Sequence, residues 1–205
     1  MEQMILGGSV ALWAAVHSWL ASSRAKQVIA KLVGQDAARG YRLAYNAFSV
    51  LSLAPIALLV RSMPDRIVYR VAMPWSLLLV AGQAISMLLM VVALLQTDVL
   101  HFAGLSQIVG RRTSASIVTS GLYRVVRHPL YLLGLMILWL SPSMTMNQLV
   151  IYGVLTAYLF AGATLEERRL LHELGSEYAT YRMRTPMIIP GLVRPANRQR
   201  SPSAD

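Results

Sequence analysis

The chain has 205 residues, of which 56% are hydrophobic and only 14% charged, and it contains no cysteine. This composition lies outside the soluble globular range and points to a membrane protein, while the missing cysteines exclude disulfides, thiolate nucleophiles and cysteine-metal centres. The net charge of +10 does not call for a nucleic-acid partner, because the basic residues fall where a membrane protein keeps them.

Five apolar segments come close to the roughly 20 residues that a helix needs to cross the hydrocarbon: residues 4–21, 43–60, 74–95, 130 to about 144, and 149–165. The first begins with Glu2 rather than a basic region and lacks a small-residue cleavage site, so it reads as a mature helix and not as a signal peptide. Residues 22–42 follow with Arg24, Lys26, Lys31, Arg39 and Arg42. The third segment fits a crossing best. After it, Asp98, His101 and "FAGLSQIVGRR" suggest a short interfacial helix and a polar connection within 97–128. The fourth segment is short and stops at Ser141-Pro142-Ser143, so it and the fifth form a helical hairpin with its tip at the far interface. Beyond it, Leu170, Leu171, Leu174 and Tyr178 keep helical spacing, which continues the fifth helix as an amphipathic cytoplasmic one.

The fold class expected is therefore all-α: a polytopic membrane protein with about five transmembrane helices, forming one domain over 1–190. A disordered basic tail, "RPANRQRSPSAD", follows over 191–205. With the amino terminus outside, five crossings put sixteen of the nineteen basic residues in the cytoplasm, as the positive-inside rule requires. Anionic lipid at that face adds to the attraction.

Chemistry collects where the fourth segment begins. In "RVVRHPLY", Pro129 suits the first turn of a helix, where its absent N–H loses no partner. Arg124, Arg127, His128 and Tyr131 share one face if the helix extends backward through them. Glu166 and Glu167 stand at the end of the returning helix, about 35 residues on, so a hairpin brings them to the depth of His128 and Tyr131. Each residue alone reads as an ordinary boundary residue: a basic anchor, an interfacial tyrosine, helix-end acids. Together they describe a polar pocket of the kind that membranes tolerate chiefly for function.

"GLYRVVRHPLY", followed by "LEERRLLHELGSEYATYR" and "MIIP", resembles the integral-membrane methyltransferases typified by isoprenylcysteine carboxyl methyltransferase, which share this signature with phospholipid methyltransferases. The likeness is strongest over 118–190. It implies a cofactor-binding core over 97–190, behind amino-terminal helices over 1–96, that takes S-adenosylmethionine at the cytoplasmic face. By motif position Gly121, Tyr123, Arg127, His128, Pro129 and Tyr131 would line one side of the cofactor, and Glu166 and Glu167 the other, with Arg127, His128 and Glu167 as the catalytic group. "HSWLASSRAK", "YRLAYNAFSVLSLAP", "HFAGLSQ" and "SPSMT" are similar to a bacterial branch containing methanethiol S-methyltransferases and denitrification-associated membrane proteins. That branch implies a bacterial inner-membrane location and a small acceptor rather than a prenylated protein.

The residues suit such chemistry. Glu167 can accept from the cofactor's ammonium while Arg127 or His128 meets its carboxylate. On the acceptor side, His17 late in the first helix and Asn46 early in the second both face the cytoplasmic end. His17 serves as a base or orienting group, or else only bonds to a neighbouring helix; Asn46 serves the acceptor or only ties helices together. His101 and His172 have no partners at metal-ligand spacing, so no metal is expected. Gln83 and Ser86 read as packing contacts, and "SMLLMVV" as apolar filler.

The function expected is methyl transfer from S-adenosylmethionine to a small lipophilic acceptor, a thiol or an isoprenylcysteine-like carboxylate, with membrane lipid as the surrounding partner. Two alternatives stay open: an NADPH-dependent membrane reductase of the sterol-reductase type, and a non-catalytic membrane assembly factor.

Overall fold

In the computed structural model, which describes residues 1–34, 40–97 and 117–191, the chain is mostly helical. Helix α1, Glu2–Ala21, turns at Ser22 into the short amphipathic α2, Ser23–Val33. Ser22 starts that helix by accepting from the Ala25 N–H at 3.2 Å. Helices α3, Tyr41–Leu51, and α4, Leu53–Ser62, are nearly one rod. Pro55 has no N–H to give the Leu51 carbonyl, and the break falls beside it at Ser52. Strand β1, Ile67–Arg70, leads to α5, Trp75–Leu95. A 3₁₀ turn at Gly121–Arg124 precedes α6, Pro129–Trp139; then come β2, Ser143–Thr145, α7, Met146–Leu174, and α8, Ser176–Arg184.

Among the described residues, four helical stretches are long and apolar enough to cross a membrane: Glu2–Ala21, Tyr41–Ser62, Trp75–Leu95 and Met146–Leu174. Their outward leucines, among them Leu12, Leu58, Leu78 and Leu88, are well over half exposed. So broad an apolar surface needs lipid around it, and the helices satisfy their own backbone groups. The chain is a multi-pass membrane protein.

As expected, the fourth apolar segment is short and stops before Ser141-Pro142-Ser143: it forms a helix of 11 residues, about 16 Å long. Pro142 disfavours helical geometry at Ser141, and the chain continues extended through β2. The all-α expectation is corrected by two short strands. β2 pairs antiparallel with β1, Ile67 opposite Thr145 and Arg70 opposite Ser143, with an irregularity between Ile67 and Tyr69. This small ladder ties the α4–α5 connection to the α6–α7 connection. Thr145 then starts α7 with a capping box: its Oγ1 accepts from Gln148 N at 3.3 Å and its N–H donates to Gln148 Oε1 at 2.9 Å.

The helices pack in the order α5, α6, α7, α1, with α3 and α4 on the far side of α1. Leu6, Val10 and Ala14, one every fourth residue, are the buried stripe of α1. Gly7 lets Val150 of α7 come close, since a Cβ there would sit 3.3 Å from Val150 Cγ1. Between α5 and α6, Gln83 is more than a packing contact: its Nε2 donates to the Ile137 carbonyl at 2.7 Å. Ser86, fully buried, donates to Gly82 O one turn back in its own helix at 2.7 Å. Gly82 lies against Leu140 and Gln96 against Leu122, so α5 and α6 run antiparallel. The expected continuous cytoplasmic helix is broken: Gly175, at φ 56°, takes the left-handed conformation that ends α7, and α8 begins anew. The expected interfacial helix with Asp98 and His101, and the basic tail beyond Gly191, lie outside the described residues.

Candidate active site at the α6–α7 mouth

Pro129 occupies the first turn of α6 and His128 its N-cap. Residues 125–128 are not helical, which corrects the single face expected for Arg124 through Tyr131. Arg124 is exposed and stands apart. The backbone instead is clasped by the segment after α8: Arg127 N donates to Pro186 O at 2.9 Å and His128 N to Met187 O at 3.0 Å. Upstream, Gly121 has φ 59° and its missing side chain admits the Gln96 amide, whose Oε1 accepts from Leu122 N at 3.1 Å. A Cβ on Gly121 would come within 2.6 Å of Gln96 Cδ. Gly121→Ala is therefore expected to cost about 1–2 kcal/mol from the left-handed backbone alone, plus loss of the Gln96 contact. It lowers the thermal unfolding midpoint in detergent, and an unchanged midpoint would contradict this.

The structure brings five of the anticipated residues together. Arg127 meets Glu167 Oε1 through Nε at 2.6 Å and Nη2 at 2.5 Å, both side chains being more than nine-tenths buried. Arg127 Nη1 also donates to the carbonyls of Arg182, at 3.0 Å, and Thr185. The His128 ring lies 3.7 Å from Glu166 Oε2 through Nδ1 and 3.5 Å from Glu167 Oε1 through Nε2, and among the described residues Nε2 has no partner in hydrogen-bond geometry. The rings of His128 and Tyr131 stack at 5.2 Å, 6° from parallel, and Tyr131 donates to Glu166 Oε2 at 2.9 Å. The two acids thus differ. Glu167 is enclosed by Arg127, His128 and, at 3.6 Å, Arg182; the Glu166 side chain is 38% exposed.

Helix α8 supplies residues that sequence reasoning missed. Tyr178, almost wholly buried, meets Tyr181 edge-on with centroids 6.0 Å apart, and the Tyr181 hydroxyl donates to the Tyr123 carbonyl. Burial, with Glu167 adding, raises the Tyr178 phenol above its ordinary value. Burial pushes Tyr181 up to about 12, with Arg127 opposing and Tyr123 and Glu167 adding. Both stay protonated at neutral pH. Their spacing with Arg182 and Thr185 puts all four on one helical face, a signal present in the sequence but read only as amphipathicity.

His17 and Asn46 are not in this cluster. His17 Nε2 is 2.6 Å from Tyr45 Oη, between Trp13 and Tyr158. Asn46 follows Tyr45 in α3 and has interactions of its own. His172 sits in the exposed last turn of α7.

The description of the NnrU protein family matches residues 3–193. Methanethiol S-methyltransferase 1 of Bradyrhizobium diazoefficiens is 34% identical over 189 residues, covering 88% of this chain and 64% of its own length. Methanethiol S-methyltransferase 2 of that organism and the methanethiol S-methyltransferase of Crocosphaera subtropica are 44% and 40% identical over 71 and 72 residues, each covering 35% of this chain and 27% and 28% of their own lengths. The chain thus spans under two thirds of these relatives. No solved structure matches.

Proposed function

The chain belongs to the NnrU protein family, and from that premise we propose that it is a membrane methyltransferase carrying a methyl group from S-adenosylmethionine to a small lipophilic acceptor. The relatives' name favours a thiol over an isoprenylcysteine-like carboxylate. The observation that carries the reading is the cluster of Arg127, His128, Tyr131, Glu166 and Glu167 at one end of α6 and α7.

The donor set suits such a ligand. Glu166 offers a half-open carboxylate to an ammonium, while half-exposed Arg182, which like His128 faces Glu167, offers a cationic group to a carboxylate. Stacked His128 and Tyr131 present a flat aromatic wall. Arg127 and Glu167 are engaged with one another, so they hold the frame: they fix the start of α6 against α7 and α8. Gly121, Tyr123 and Pro129 shape the backbone beside it. When bound, S-adenosylmethionine supplies an electrophilic methyl group. The protein's task is to orient acceptor and methyl in line and keep water out.

On this reading α6, lengthened by the extended residues after it, makes a fifth crossing of the bacterial inner membrane. The amino terminus lies outside, the cluster and carboxy terminus face the cytoplasm, and His17 and Asn46 stand on the acceptor side. Membranes containing the protein, given methyl-labelled S-adenosylmethionine with a panel of thiols, lipid amines and prenylcysteine analogues, should yield a labelled thioether. No labelled product from any of them would overturn the reading.

A further inference from the structure

Deeper in the bundle an aromatic box surrounds His17. Its ring stacks on Trp13 at 5.0 Å and 26°, tilts against Tyr45 at 5.0 Å, and meets Tyr158 edge-on at 6.1 Å. Trp13 is itself fixed by its indole N–H donating to Ser52 Oγ at 2.8 Å, across the break between α3 and α4. One imidazole nitrogen is spoken for, Nε2 lying 2.6 Å from Tyr45 Oη. The other, Nδ1, is buried with no hydrogen-bond partner among the described residues. A buried polar atom left so is costly, and native structures retain one for a reason.

The box and the α6–α7 cluster share helix α7: Tyr158 of the box precedes Glu166 of the cluster by about two turns, about 12 Å along the axis. Between them stands Gly162, where a Cβ would meet nothing within 4 Å among the described residues.

We infer that His17 is the catalytic base of the methyl transfer, taking the proton of a thiol acceptor on Nδ1; this rests on the methyltransferase reading above. In this assignment Nε2–H donates to the Tyr45 oxygen and Nδ1 carries the lone pair. The thiol S–H bond breaks and its proton moves to Nδ1. The sulfur's electron pair forms the new carbon–sulfur bond as the methyl's bond to the sulfonium breaks, leaving that pair on the cofactor's sulfur. A neutral thiol and a cationic sulfonium thus become two neutral thioethers and one proton, which His17 releases to water. An alkyl thiol is mostly protonated at neutral pH, as cysteine's is with its value of about 8.5, so it gains from a base.

The test compares two acceptors, butanethiol and thiophenol, the second already largely ionised at neutral pH. In His17→Gln, methylation of butanethiol is expected to fall at least about hundredfold and that of thiophenol less than about tenfold, with affinity for S-adenosylmethionine, measured by calorimetry, unchanged. Equal losses for the two thiols, or none, would overturn the assignment. Should that variant not fold, Tyr45→Phe carries the same comparison, with a smaller loss again selective for butanethiol and an equal loss again overturning it. If the wild-type protein binds no S-adenosylmethionine, the methyltransferase reading fails and this inference with it; an active wild type without the selective loss sinks His17 alone.

Discussion

Glu167→Ala is expected to destabilise the protein by roughly 3–5 kcal/mol, the usual cost of stripping one partner from a buried ion pair. The Arg127 guanidinium, with its side chain only 7% exposed, would keep two carbonyl partners but lose its counter-charge. Arg182 and His128 would lose the same carboxylate. Because Arg127 draws in the carbonyls of Arg182 and Thr185, and its own N–H is bonded to Pro186 O, the clasp from α8 onto the start of α6 should loosen too. Thermal unfolding in detergent measures this directly. A midpoint like that of the wild type would show that the pair contributes nothing to the frame.

Glu166→Gln should behave in the opposite way. Its side chain is partly open and its bonded partner is the Tyr131 hydroxyl, which a glutamine oxygen also satisfies. Stability should therefore stay near the wild-type value. What is lost is a charged acceptor for the cofactor's ammonium, about 1.5–3 kcal/mol, or roughly ten- to a hundredfold in affinity for S-adenosylmethionine. Calorimetric titration of the folded variant reads that change. Unaltered affinity would remove Glu166 from the ligand's surroundings. Adjacent acids with opposite phenotypes, one in stability and one in binding, go beyond the sequence alone, which gives the cofactor's ammonium to Glu167 and has Glu166 only line the site.

That contrast marks where sequence reading stops. Hydropathy located the long helices because roughly 20 apolar residues in a row have few other uses, and the hairpin argument placed Glu166 and Glu167 beside His128 and Tyr131. Hydropathy could not tell an 11-residue helix with an extended continuation from a full crossing around Ser141 and Pro142. The β1–β2 pairing joins residues more than 70 apart, and no local pattern in Ile67–Arg70 announces its partner. The partners of Arg127 were likewise hidden. Its two carbonyl bonds go to Arg182 and Thr185, and reaching them depends on the turn at Gly175, a glycine whose left-handed backbone was not read as a helix end. The His17 box is legible only in three dimensions, because Trp13, Tyr45 and Tyr158 come from three helices.

The most direct test of the whole account is calorimetric titration of S-adenosylmethionine into the purified wild-type protein, with S-adenosylhomocysteine and NADPH in parallel. Saturable binding of both adenosyl ligands, about one per chain, with no response to NADPH, is the expected result. Heat from NADPH alone, or from none of the three, would contradict it.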